Sequence, residues 1–221
     1  MLLARRLGLD TRTKETDWLG VEDNGYWDRV TFSDESKIEV DQNNRVYVWR
    51  RAGEEWLPAC TAPPVRKKFG VMLWGCITFN GVGTLAFVNS NINAEKYEEI
   101  LEHNLWPAVA RHFPQNNYFF QDDNAPVHRA RSVMEYRCKN KIKTLTWPAE
   151  SSDLNIIENV WHRLKRELQR NVEDVTDEAS LKLTIRHVLE KLPVDYIQSL
   201  HFSIPRRILS VLRVMGNITK Y

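Results

Sequence analysis

Cysteine is scarce. Only Cys60, Cys76 and Cys138 occur in 221 residues, far apart and without ligand spacing, so the sequence predicts neither a disulfide framework nor a thiolate metal site and points to a reduced, intracellular protein. Long apolar runs are missing too: the apolar stretch in MLLARRLGLD is too short for a signal core or a membrane span, and nothing else approaches 18 consecutive apolar residues. Charge of one sign is lacking. With 31 Lys and Arg against 29 Asp and Glu, the net charge is +2 and the pI near 8.4, which is compatible with a nucleic-acid partner without requiring one. No internal repeat or low-complexity tract is present. What remains, 43% hydrophobic and 27% charged residues, is an ordinary globular composition, long enough to bury a core as one domain or as one domain with a helical appendage.

The N-terminal stretch is basic and weakly patterned, with Arg5, Arg6, Arg12 and Lys14, and residues 1–26 are expected to be a linker remnant rather than part of the core. From Trp27 the pattern sharpens. VTFSDESKIEV and RVYVWRR flank the polar turn DQNN, which predicts a β-hairpin. Residues 50–69 then form a long irregular excursion, with Pro58, Pro63 and Pro64 and five basic residues against two acids, and loops of that length are usually functional or mobile. Trp49 and Trp56 are expected to pack rather than stack on bases. GVMLWGCITFNGVGTLAFV predicts two strands around a turn at Asn80 to Gly83. The period then changes: Asn93 is a predicted cap for a helix whose apolar positions Tyr97, Ile100, Leu101, Leu105 and Val109 recur at three and four residues. A short strand ends at Gln121, a helix is expected from about Ala125 to Asn140 with Pro126 in its first turn, and KTLTW is a further strand. Ile157, Val160, Trp161, Leu164 and Leu168 make one apolar stripe on a long helix, and three helical segments follow at roughly 177–191, 193–201 and 204–214. The order implies an α/β fold with a mixed sheet of about five strands flanked by helices.

Three acids stand at predicted element ends. Asp34 closes an apolar run, Asp123 follows the strand at Tyr118 to Phe120, and Glu158 lies in the first turn of the striped helix, with 34 residues between the last two. Carboxylates remote in sequence, brought together at element ends, can hold two divalent ions in an open cleft. Each also has a plainer reading. Asp123 is good turn chemistry, Asn155 to Glu158 has the spacing of a capping box, and Asp34 can be a strand-end acid.

The blocks VTFSDESKIEV, VMLWGCITFNGVG, INAEKYEEIL, FFQDDNAPVHRARSV, LTWPAESSDLNIIENVWHRLKREL and SIPRRILSVLRVMGNITKY, in that order, resemble the catalytic domain of mariner/Tc-type cut-and-paste transposases. The resemblance runs from about Trp27 to Tyr221. It implies an RNase H-like fold in which Asp34, Asp123 and Glu158 fall on the family's Asp, Asp and Glu, the 34-residue gap included. It also implies a catalytic domain over 27–171, with 50–69 as a clamp-like loop against a second subunit, and a helical extension of the same domain over 172–221. Phosphodiester attack needs charge neutralised and both oxygens held in line, which paired Mg²⁺ ions can supply, with Mn²⁺ as substitute. Asp34 is then expected to bridge both ions while Asp123 and Glu158 each hold one, with Asn124 and His128 either neighbours that support the acids or, on the plainer reading, a helix cap and a solvated histidine. The implied reaction is nicking at transposon ends followed by attack of the freed 3′-hydroxyl on target DNA, in the nucleus.

Candidate DNA contacts are Arg50, Arg51, Arg66, Lys67 and Lys68 around the long loop and Arg163, Lys165, Arg166 and Arg170 on the Glu158 helix, though each could equally be part of a solvated charged face. The sequence departs from the family's pattern in three places. Ser152 and Ile156 stand where prolines are usual, which should loosen the loop that aims Glu158. Asp122 stands where glutamine is usual, which should add negative charge beside the metal site. The paired helix-turn-helix region that usually precedes this domain is not in the sequence, so specific recognition of transposon ends is not expected of it. An inactive or domesticated remnant that only binds nucleic acid or related transposases is the alternative reading.

Overall fold

The fold is given by a computed structural model that describes residues 25–40, 51, 53, 69–88, 91–145, 147, 151–171, 175–214, 217 and 219. A single 3-10 turn at Trp27–Arg29 leads into β1 (Val30–Val40), followed by β2 (Phe69–Thr78) and β3 (Gly81–Val88). Helix α1 (Ala94–Ile100) continues through a π turn at Leu101–Leu105 into α2 (Trp106–His112), which returns the chain to β4 (Phe119–Gln121). Helices α3 (Arg131–Lys139), α4 (Ile157–Arg170), α5 (Glu178–Glu190) and α6 (Val194–Arg213) complete the order.

Among the described residues the sheet has four strands in the order β3-β2-β1-β4, with β1, β2 and β3 antiparallel and β4 parallel to β1. The predicted fifth strand, KTLTW, is reduced to one parallel bridge between Thr144 and Phe120. The expected hairpin partner RVYVWRR lies, apart from Arg51, outside the described residues.

Alternation along β2 sorts the two cores. Val71, Leu73 and Ile77 face one layer, formed with β1 and the buried stripes of α4, α5 and α6; Trp74 and Cys76 face the other, formed with α1, α2 and α3. A single apolar cluster thus runs from Phe32 in β1 through Leu164, Ile185 and Ile204 to Val211. The striped helix is confirmed, with Ile157, Val160, Trp161, Leu164 and Leu168 all buried. Asn93 caps α1 by accepting from the Lys96 amide, and Asp177 caps α5 in a reciprocal pair with Ser180.

Two expected boundaries move. The helix predicted from Ala125 begins at Arg131: one turn forms over 125–129, but Ala130 is extended (φ −56°, ψ 143°) and interrupts it. The break predicted between 201 and 204 is absent, and α6 runs through Pro205. Proline removes one backbone donor there, yet the buried positions Ile197, Leu200, Ile204, Ile208 and Val211 form one continuous stripe, and burial of that stripe outweighs the lost bond. No helix among the described residues is long and apolar enough to cross a membrane.

Candidate active site

Asp34 is not at a strand end as expected but in the middle of β1, opposite Gly75 of β2. The polar run Ser33 to Lys37 closes the apolar pattern while the backbone ladder continues through it to Val40. Asp123 follows β4 directly, and Glu158 occupies the first turn of α4. β4 lies parallel beside β1, with Gln121 opposite Phe32, so the chain leaving β4 passes Asp34. The three acids line one cleft of about 450 Å³, together with the amides Gln121, Asn124 and Asn155.

Each acid is held differently. The indole Nε1–H of Trp161 donates to Asp34 Oδ2 at 3.0 Å. Its ring can approach because Gly75 has no side chain: a Cβ there would lie 2.6 Å from Trp161 Cη2. Burial, with the charges of Glu158, Glu35 and Asp123, pushes the Asp34 carboxyl up to about 8 despite the indole bond. Glu158 is also raised by burial, partly offset by Lys165. Asp123 behaves oppositely: the His128 hydrogen bond and the Ala125 amide, at 2.9 Å, hold its carboxyl below the usual range against partial burial.

His128 is the hub of this arrangement. Its Nδ1 lies 2.6 Å from Asp123 Oδ1 and its Nε2 3.3 Å from Glu35 Oε1, while its ring stacks on Tyr97 with centroids 4.1 Å apart. Burial lowers its pKa, but the bonds to Asp123 and Glu35 and the charges of Glu35 and Asp122 overcome that and bring it to about 10. His128 sits in the turn before α3, not one turn into a helix as the sequence suggested. Asn124 donates to the Trp147 carbonyl at 2.6 Å, fixing the segment after Asp123.

Several participants were missed. Glu35, next in sequence to Asp34, brings its carboxylate within 4.8 Å of those of Asp34 and Asp123, a tighter cluster than any that includes Glu158. Trp161 was assigned to packing alone. Asn155, which the plainer reading made the N-cap of a capping box with Glu158, donates to the Ser33 carbonyl at 3.1 Å and ties the start of α4 to β1, so the capping box does not form. The adjacent SDES and NIIE spellings carry no signal for these roles, which depend on contacts 122 and 127 residues apart.

One expectation about departures is corrected, and the structure shows what surrounds another. Asp122 does not add free charge to the cleft: it is buried against the Arg137 guanidinium and the Tyr97 hydroxyl. The loop with Ser152 and Ile156 has other fastenings in place of the prolines. Ile156 takes the helical conformation (φ −70°) and is fully buried; Arg207 donates to the Asp153 carbonyl at 2.9 Å and to Asn159 Oδ1 at 2.7 Å; Thr219 donates twice to Asp153 Oδ2. Of the candidate DNA contacts, Arg50, Arg66, Lys67 and Lys68 lie outside the described residues. Arg51, Lys165, Arg166 and Arg170 are exposed, Arg170 pairing with Glu167 at 2.8 Å, whereas Arg163 is half-buried over the Tyr196 ring.

A mixed sheet carrying one acid in the central strand, one after the adjacent parallel strand and one in the first turn of a packed helix defines an RNase H-like α/β domain with an acidic cleft. Residues 29–181 match the family described as DDE superfamily endonuclease, and the chain belongs to that family. It is 35% identical over 201 residues to the Tc3 transposase of Caenorhabditis elegans, covering 88% of this chain and 59% of that protein. With the Tc1 transposase of the same organism the identity is 30% over 197 residues, covering 88% and 71%. The chain therefore spans about three-fifths to seven-tenths of these relatives. Among solved structures, a pre-cleavage Mos1 transpososome superposes with a TM-score of 0.79 at 21% identity, over 99% of this chain and 64% of that one. The catalytic domain of Mos1 mariner transposase gives 0.69 at 18%, over 93% and 91%.

Proposed function

We propose that this chain is the catalytic domain of a cut-and-paste DNA transposase, a divalent-metal-dependent endonuclease and strand transferase whose reacting centre is Asp34, Asp123 and Glu158. The observation that carries this reading is geometric: Asp34, Asp123 and Glu158 line one cleft, Glu35 brings its carboxylate within 4.8 Å of those of Asp34 and Asp123, and burial with the neighbouring acids pushes Asp34 up to about 8. The donor set fits a hard cation. It is all oxygen, and the amide oxygens of Gln121, Asn124 and Asn155 on the cleft wall are buried with no hydrogen-bond partner among the described residues.

Two Mg²⁺ ions, replaceable by Mn²⁺, would neutralise the phosphodiester and activate the attacking water or 3′-hydroxyl. Asp34 on β1 and Asp123, two residues past the end of the parallel β4, would supply two ligands, and Glu158 at the start of α4 a third. Trp161 and Asn155 keep β1 and α4 in register, and His128 with the Ala125 amide occupies one oxygen of Asp123 so that the other is free for the cleft. Mos1 paired-end complexes of the same fold are solved with Mn and with Mg, which supports DNA and these metals as partners here.

Domain organisation follows the same reading: the apolar cluster shared by β1, α4, α5 and α6 supports treating 172–221 as part of the catalytic domain. DNA contacts through Lys165, Arg166 and Arg170, a homodimer through the 50–69 loop and a nuclear setting belong to the proposal on the resemblance. Incubation of supercoiled plasmid with the protein and Mg²⁺ or Mn²⁺ tests it. Nicking by wild type, lost in Asp34→Asn, is the expected result; a folded wild type that never nicks in either metal would favour the inactive, binding-only alternative.

A further inference from the structure

Beneath the cleft lies a buried polar cluster that the proposed chemistry does not itself use. Asp122 Oδ2 accepts from the Tyr97 hydroxyl at 3.0 Å and from Arg137 Nη2. Asp122 and Arg137 are only 3% and 6% exposed. The guanidinium lies over the rings of Tyr97 and Phe120, each centroid 5.7 Å away, which fixes its plane. The same Asp122 oxygen is also 3.7 Å from His128 Nδ1, the atom that holds Asp123 Oδ1 at 2.6 Å. The imidazole thus sits between two consecutive carboxylates and is bonded to only one of them.

We propose that Arg137 is a positioning residue for Asp123: by occupying Asp122, it leaves the His128 imidazole to Asp123 alone. The proposal rests on the reading of Asp123 as a metal-holding acid, but its structural half does not. Three facts combine. A buried carboxylate without a partner takes the nearest donor available, because desolvation leaves it no water to use instead. With Arg137 removed, the Tyr97 hydroxyl and His128 Nδ1 remain beside Asp122 Oδ2, the latter at 3.7 Å, about 1 Å beyond bonding distance. Asp123, half-exposed, would then keep only the Ala125 amide and lose the contact that fixes its rotamer. The expectation that Asp122 burdens the cleft with negative charge is thereby turned round: the pair Asp122 and Arg137 is neutral toward the cleft and acts through the partner it denies to His128.

The two halves of the ion pair are therefore not equivalent, which separates positioning from mere structural support. Arg137→Leu should lower Mn²⁺ affinity by about ten- to hundredfold, the range for groups that orient metal ligands, and also lower Tm. Asp122→Asn should lower Tm comparably but leave Mn²⁺ affinity within about twofold of wild type, since a neutral amide does not compete for the imidazole. The double variant Asp122→Asn with Arg137→Leu should recover the affinity. The same variants are measured metal-free by the His128 Nδ1 proton resonance, assigned by its loss in His128→Gln: it should move in Arg137→Leu and stay near wild type in the double variant. Should Arg137→Leu not fold, Arg137→Met, which keeps an unbranched stem but donates no hydrogen bond, takes its place with the same expectations. Equal loss of affinity in both single variants, or an unmoved resonance in Arg137→Leu, overturns the proposal. Wild type that binds no Mn²⁺ while the resonance behaves as expected would sink the metal reading alone.

Discussion

Replacing Gly75 by alanine puts a methyl group where the site has no room. Gly75 faces Asp34 across the β1–β2 ladder, and its added Cβ would stand 2.6 Å from Trp161 Cη2, 3.2 Å from Trp161 Cζ2 and 3.0 Å from Leu85 Cδ2. Trp161 is 2% exposed, so the indole has little space to retreat. Overpacking of this kind costs about 1–3 kcal/mol. A shift of the ring by about 1 Å also breaks the 3.0 Å bond from Nε1 to Asp34 Oδ2, which contributes about 0.5–1.5 kcal/mol to the neutral carboxyl and more to the charged form. Both effects fall on the one acid already pushed to about 8, so the charged form that binds metal is disfavoured further. Urea denaturation followed by tryptophan fluorescence should show the stability loss, and Mn²⁺ titration an affinity lowered by about tenfold, each tenfold being about 1.4 kcal/mol. Trp161→Phe serves as the companion: it removes the donor without crowding, so it should reproduce the affinity loss. A Gly75→Ala protein with wild-type stability and wild-type Mn²⁺ affinity would refute the reasoning that the glycine exists to admit the indole.

Two further predictions concern pH. His201, buried between the rings of Phe32 and Phe79 and bonded through Nδ1 to the Trp27 carbonyl, has its pKa lowered to about 4 by burial. Its folded pKa lies below the unfolded 6.5, so the stability it allows above pH 6.5 is lost as pH falls toward 4; at pH 5 the loss is about 2 kcal/mol by linkage. Denaturation curves of wild type should therefore fall more steeply than those of His201→Gln between pH 7 and pH 5, and parallel curves would contradict the assignment. Asp34 has the opposite sign: a carboxyl raised to about 8 destabilises the metal-free fold above pH 8, and relief grows as pH falls below it. In EDTA at pH 9, Asp34→Asn should be more stable than wild type, on the order of a few kcal/mol at most, with the gap closing toward pH 5.

Elements whose pattern repeats along the chain were legible in the sequence. The stripe from Ile157 to Leu168, the apolar run of β2 and the Asn93 cap are local signals, and the structure carries all three. The acids were found because each stands at a predicted element end and on a position of the resembled family, and two of their settings, after β4 and at the start of α4, agree with expectation. Asp34 was misplaced to a strand end because polar residues end the apolar run, although the backbone pairing opposite β2 does not stop there. Pro205 signals a break that burial overrides. What stayed hidden is everything set by distant partners: Asn155 turned to Ser33, Trp161 serving Asp34, Arg207 fastening the loop at Asp153, and Arg137 neutralising Asp122. None of these side chains differs in type from a core or surface residue, so only the fold reveals what each touches.

The central claim, that Asp34, Asp123 and Glu158 together hold divalent metal, is tested most directly by calorimetric titration of Mn²⁺ into the chain beside Asp34→Asn, Asp123→Asn and Glu158→Gln. The account predicts saturable binding by wild type at two ions per chain, weakened in each variant and most in Asp34→Asn, with circular dichroism unchanged. Mn²⁺ binding that is indifferent to all three substitutions, or absent from a folded wild type, would contradict it.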